Sequence, residues 1–226
     1  FDLNGNGQPV DCYYNGFLAG TDIVGPVIYR DGKEIPCDEP QGARHLGVEK
    51  IAETCVQGRG VMIDLQAHLG PGRTVVGYDA LMRVMEADKI TVESGDMVCL
   101  HTGFAQALLD MQRQPDAVVL DQTGAVLNGR DGKLLQWITD SGLAVLIADN
   151  YAVEAHPAMH RMGCCSTLPL HEHCLFKLGI HLGELWHLTP LASWLRSQGR
   201  SRFLLTAPPL RLPGAVGSPT TPVATV

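Results

Sequence analysis

Short apolar runs bounded by glycine alternate along the chain with stretches whose apolar residues recur at helical spacing. Ile23 to Tyr29 is β-branched and apolar and predicts a strand, followed by a charged, proline-bearing loop to about Gln41. His45 to Cys55 has helical spacing, with Leu46, Val48, Ile51 and Ala52 on one side and Glu49, Lys50 and Glu53 on the other. Gly60 to Leu65, Gly95 to Gly103 and Leu143 to Ala148 have the length and composition of buried strands. Helices are expected over 78–88, Phe104 to Met111, Lys133 to Thr139 and Pro190 to Gln198, and a last strand over Arg202 to Thr206. The polar, turn-rich stretch from Gln112 to Gly132 reads as a surface excursion, and Ala207 to Val226 as a proline- and glycine-rich tail. With no internal repeat and no linker, the expectation is a single α/β domain over residues 1–226, its strands of mixed direction.

The buried runs end in polar residues. Asp64, Gln66 and His68 follow the first, His101 and Thr102 the second, and Asp149, Asn150, Tyr151 and Glu154 the third. In α/β folds, sites gather at the C-terminal ends of strands. Residues 1–22, dense in Gly, Asn and Asp, read as turns and a hairpin. Asp2, Asn4, Asn6 and Gly7 imitate the start of a calcium loop, but Tyr13 stands where that loop needs a bidentate Glu.

Composition narrows the function. A formal net charge of −7 argues against a nucleic-acid groove, which needs clustered Lys and Arg; Arg196, Arg200 and Arg202 are the one small group. A small-molecule substrate is the expectation. Seven cysteines without a CxxC pair read as reduced thiols in a cytoplasmic protein, the adjacent Cys164 and Cys165 included. No run of 18 apolar residues is present, so no membrane partner is expected. No Gly-x-Ser-x-Gly elbow appears, and Gly58-Arg-Gly60 precedes its strand, which disfavours serine-hydrolase and dinucleotide-binding readings.

Metal-capable side chains concentrate between Leu168 and Leu188, which holds His171, Glu172, His173, His181, Glu184 and His187. On one straight helix, His173 and Glu184 would stand about 16 Å apart along the axis, too far for one ion. Gly179 offers another arrangement. A helix over His171 to Leu178 closed by Gly179, with Ile180 to Trp186 returning as a strand, lets the helix start approach the strand end. His171 and His173 are the candidate catalytic residues, and Glu172 and Glu184 the candidate metal ligands. Tyr14, Asp64, His68, His101 and Asp149 are the candidate substrate-binding residues. His181 and His187 read as structural.

Several segments together resemble the cyclase-like family of metal-dependent hydrolases that includes bacterial kynurenine formamidase and isatin hydrolase. They are Gly58 to Leu65 with His68, Gly95 to Gly103, Ala148 to Glu154, the helix–Gly–strand unit ending in Glu184, and Pro209 to Pro219. The resemblance implies a swivelling β/β/α fold with a mixed sheet curling into a partial barrel, outer helices, and a homo-oligomer (dimer or tetramer). It implies hydrolysis of a C–N amide bond with a divalent ion, Zn or Mn: an N-formylkynurenine-like aryl formamide first, an isatin-like cyclic amide as the alternative. The family's His-x-Gly-Thr-His-x-Asp ligand cluster would lie upstream of Phe1. Since the chain opens on Phe, the expectation is an N-terminally truncated sequence, inactive in this form and at most an oligomeric binding scaffold. In two-metal members a His twelve residues before the Glu binds the second ion; the same count back from Glu184 lands on Glu172.

Overall fold

The computed structural model describes residues 7, 9–25, 27–30, 33–36, 40–159 and 166–226. Asp2, Asn4, Asn6, Cys37, Cys164 and Cys165 lie outside the described residues. The chain divides into two compact units, one of residues 1–57 with 206–223 and one of 58–205 with 224–226.

In the first unit, strands β1 (Ile23–Val24), β2 (Val27–Arg30), β3 (Lys33–Pro36) and β4 (Gly42–Ala43) precede helix α1 (Val48–Thr54). β1 and β4 pair antiparallel, as do β2 and β3. The loop expected after Tyr29 therefore contains the second arm of a hairpin; charge and proline hid a strand with little apolar content. Residues 1–22 are expected to hold turns and a hairpin, and the described part of that stretch turns between Tyr13 and Phe17. Tyr13 N–H donates to Phe17 O, and Cys12 bridges Leu18 antiparallel. The tail returns to this unit, with Ala43 N–H donating to Gly214 O and Val48 N–H to Ala215 O.

The second unit is built on a mixed six-stranded sheet. Its elements run β5 (Gln57–Asp64), α2 (Leu65–Leu69), β6 (Thr74–Val76), α3 (Tyr78–Ala87), β7 (Met97–His101), α4 (Phe104–Asp110), α5 (Ala117–Asp121) and β8 (Ala125–Leu127). They continue with α6 (Gly132–Ser141), β9 (Val145–Ala148), α7 (Pro169–His171), a π-helix (Glu172–Leu178), β10 (His181–Gly183), α8 (Thr189–Ser197), β11 (Arg202–Thr206) and β12 (Val223–Thr225). The strand order is β10-β9-β7-β5-β11-β12, with β10/β9, β9/β7 and β7/β5 parallel.

The three apolar runs fold as expected, and register explains why none alternates with polar residues. Val61, Val98 and Leu146 lie side by side across the sheet, as do Met62, Cys99 and Ile147 one residue on. Since neighbouring positions point to opposite faces, and all six are buried, both faces are covered. A parallel sheet flanked by helices requires this.

The stretch from Gln112 to Gly132 departs from its expectation. It forms α5 and then β8, whose Ala125, Val126 and Leu127 are all buried and which pairs parallel with β6. Three residues carry no measurable period, so a strand this short leaves only its apolar content as a signal. Among the described residues, no helix is long and apolar enough to cross a membrane.

Candidate active site

The His- and Glu-rich stretch folds as a helix, a left-handed glycine and a strand. Pro169 starts α7, the π-helix carries it on, and Gly179 closes it at φ 67°. β10 then pairs parallel with β9 and delivers Glu184 just past its end. The helix start and the strand end do approach. His171 Nε2 lies 3.1 Å from Glu184 Oε1, and His171 Nδ1 lies 2.9 Å from Glu154 Oε1. The imidazole is therefore held between two carboxylates. The residue facing Glu184 is His171, thirteen positions before it, and Glu172 instead forms an ion pair with Lys177 at 2.7 Å. A π-turn takes up one residue more than an α-turn, so sequence count and spatial register part here.

Burial of His171 opposes its charge, but the hydrogen bonds to Glu154 and Glu184 outweigh it and raise the imidazolium to about 9. Glu184 moves below the usual carboxylate range, through its hydrogen bond with His171 and, less, with Ala152 N–H. His173 points elsewhere: its Nε2 meets Thr139 Oγ1 of α6 at 2.9 Å. Burial pushes its pKa down.

The loop leaving β9 brings these groups together. Ala152 (φ 68°) and Val153 (φ 56°) are both left-handed, a conformation that costs about 1–3 kcal/mol at each non-glycine residue. β8 holds them there, with Leu127 N–H donating to Val153 O and Ala155 N–H to Leu127 O. Leu185 N–H donates to Asn150 O, which ties the segment after Glu184 to the same loop.

A second polar cluster sits at the ends of β5 and β7. Asp64 Oδ1 lies 2.8 Å from His101 Nδ1, and His101 Nε2 lies 3.1 Å from Thr189 Oγ1 at the start of α8. Arg196 Nε donates to Asp64 at 2.8 Å, Arg196 also reaches Asp88, and His68 pairs with Asp88 at 2.9 Å. Asp64, His68 and His101 are thus brought together, with Arg196, Thr189 and Asp88 as members that sequence spacing did not single out. The acidic partners of Arg196 lie more than a hundred positions away in the chain, so spacing could not point to them. Burial raises the Asp64 pKa, but hydrogen bonds from His101 and Arg196 carry it down from 3.8 to about 2. Because the folded value lies below the unfolded one, the stabilisation is present above about pH 4 and is lost as pH falls through about 2. It amounts to about 2 kcal/mol at neutral pH. Urea unfolding of wild type and Asp64→Asn should differ by about that much at pH 7 and converge towards pH 2. A gap that stays constant with pH would count against this linkage.

Asp149 is wholly buried and accepts from Thr102 N–H, Thr102 Oγ1 and Gly103 N–H at 2.7, 2.6 and 2.7 Å. Its carboxylate ties the end of β9 to the end of β7. Tyr14 belongs to the first unit and is exposed.

Residues 18–155, more than half of the chain, match the family described as "Putative cyclase". The chain belongs to the cyclase family. A crystal structure described as a novel cyclase matches it with a TM-score of 0.72 and 28% identity, over 97% of this chain and 64% of that one. Isatin hydrolase A from Ralstonia solanacearum matches at TM-score 0.56 and 17% identity, over 83% of this chain and 65% of that one. Isatin hydrolase A from Labrenzia aggregata matches at TM-score 0.54 and 14% identity, over 79% and 65%. These last two are likenesses of fold. The chain spans slightly less than two thirds of the length of each of the three. No curated protein matches it.

For a metal ion, the described residues supply two converging donors, His171 Nε2 and Glu184. His171 also has its other nitrogen on a carboxylate, as metal-bound histidines commonly do. No group of three or more His, Cys, Asp or Glu placed to hold an ion occurs among the described residues. They do not by themselves fit a complete metal site.

Proposed function

We propose that this cyclase-family chain hydrolyses the C–N bond of a small aryl amide, with an N-formyl aryl amine as the first substrate class. The observation that carries the proposal is the His171 imidazole held between Glu154 and Glu184. Water adds to the amide carbon, the C–N bond breaks, and His171 Nε2 delivers a proton to the departing nitrogen. Of the two protons the water brings, one returns to His171 and the other leaves to solvent as the acid product ionises. The amine leaves neutral, with formate as the other product. His171 holds its proton at neutral pH because two carboxylates flank it, which suits a general acid. The isatin hydrolases among the fold neighbours favour a second substrate class, a cyclic aryl amide opened by the same step. A divalent ion, Zn or Mn, belongs to this reading through the family; because the described donors do not complete a site for it, no step is assigned to it. A homo-oligomer of dimer or tetramer size is likewise carried by the family alone.

The test is turnover of an N-formyl aryl amine and of isatin, followed by amine release and by ring opening, with and without added Zn²⁺ or Mn²⁺. It is run on the 226-residue chain and on any longer product of the same reading frame. Formate release supports the first class, and ring opening alone supports the second. Turnover of neither substrate by any form would leave the binding scaffold as the better reading.

A further inference from the structure

The structure assigns Glu154 a positioning role: it holds the His171 ring so that Nε2 faces Glu184, in a space that Gly129 keeps open. This rests on the use of His171 Nε2 at the site proposed above.

Glu154 is 1% exposed, and its ion-pair partner among the described residues is His171. Its oxygens accept from Leu170 N–H at 3.0 Å, His171 N–H at 2.9 Å and His171 Nδ1 at 2.9 Å. Two of these donors are backbone N–H groups, which can only donate, so the carboxyl group acts here as an acceptor and the proton on that edge of the ring belongs to Nδ1. The same carboxylate holds the ring's own backbone, which fixes where the ring starts as well as how it turns. Nε2 is left facing Glu184 Oε1 at 3.1 Å.

Several parts of the fold converge on this arrangement. The left-handed pair Ala152 and Val153 immediately precedes Glu154, and Leu127 of β8 bridges Glu154 in parallel. On the other side lies Gly129. A methyl group there would overlap Glu154 Oε2 and stand 2.9 Å from Pro169 Cγ and 3.0 Å from Leu170 N. Glycine at 129 is thus required by close approach and not by its backbone angles. Any side chain would push the carboxylate off the start of α7.

Glu154→Gln and Gly129→Ala test this in the 226-residue chain, with ¹⁵N-labelled histidine and the His171 ring signals assigned by their loss in His171→Gln. In wild type the His171 Nδ1 signal should be that of a protonated nitrogen. Glu154→Gln offers one acceptor oxygen to three donors, so that signature should be lost or mixed while far-UV circular dichroism stays native. Gly129→Ala, which removes no charge, should do the same. Where a substrate is turned over, kcat should fall about 10- to 100-fold in either variant with KM little changed. An unchanged His171 ring signature in a folded Glu154→Gln protein overturns the assignment. If Gly129→Ala does not fold, Glu154→Gln decides alone. If the ring signatures behave as expected but nothing is hydrolysed, the functional reading fails and the positioning role stands.

Discussion

Replacing His171 with Gln lowers the rate of amide hydrolysis by about 10²- to 10⁴-fold, the range a positioned general acid contributes. Glutamine reaches towards Glu154 and Glu184 with an amide of comparable polarity, so most of the local packing survives. It has no proton to give at neutral pH. The loss should therefore fall on kcat, with KM little altered, because the proton moves in the transition state and not on binding. The same substitution at His173 separates the two histidines that sequence spacing left equivalent. Its ring hydrogen-bonds Thr139 on the neighbouring helix, so His173→Gln should cost far less. Equal losses at the two positions would remove the distinction drawn here. The measurement is steady-state kinetics on whichever aryl amide the protein turns over.

That His171 and His173 differ was not visible in the sequence, and the reason is geometric. On an α-helix or a strand, residues two apart are assigned to faces by a fixed period. The segment here changes from α- to π-helical at Glu172, which alters that period within the motif. Counting residues back from Glu184 reached Glu172; the structure reaches His171. The capping glycine was legible all the same, because Gly179 at positive φ closes a helix by a local rule.

The parallel strands β5, β7 and β9 were legible because both their faces are buried and their sequences are continuous apolar runs. β8 was not, since three residues cannot display a period, and β3 was not, since Lys33, Glu34 and Pro36 leave Ile35 as its one aliphatic residue. The polar residues at the strand ends marked the right region without revealing their individual uses. Asp64, Asp149 and Glu154 are all carboxylates beyond an apolar run. One joins a network of His and Arg, one serves backbone amides, and one holds a histidine. Which partner each meets depends on loops contributed from elsewhere in the chain, and hydrophobic patterning carries no information about that.

Of these three, Asp149 carries the largest expected effect on stability. Asp149→Ala should destabilise the fold by about 3–5 kcal/mol, because three buried donors lose their acceptor at once. The carboxylate accepts two backbone N–H groups and one hydroxyl inside a region where Thr102 is 1% and Asp149 0% exposed. Alanine leaves those donors without acceptors, at about 1–3 kcal/mol each. Part of that is offset because a buried charge is no longer held away from water. Asn at the same position keeps the volume and one oxygen, so its cost should be about half as large. Urea unfolding followed by circular dichroism reads both, with stability changes appearing as a lower midpoint at unchanged slope. If Asp149→Ala and Asp149→Asn each cost under about 1 kcal/mol, the ends of β9 and β7 are held by something other than this carboxylate. A large loss in Ala with a partial one in Asn fits its accepting from three donors at once. An equal, large loss in both would instead locate the effect in the charge itself.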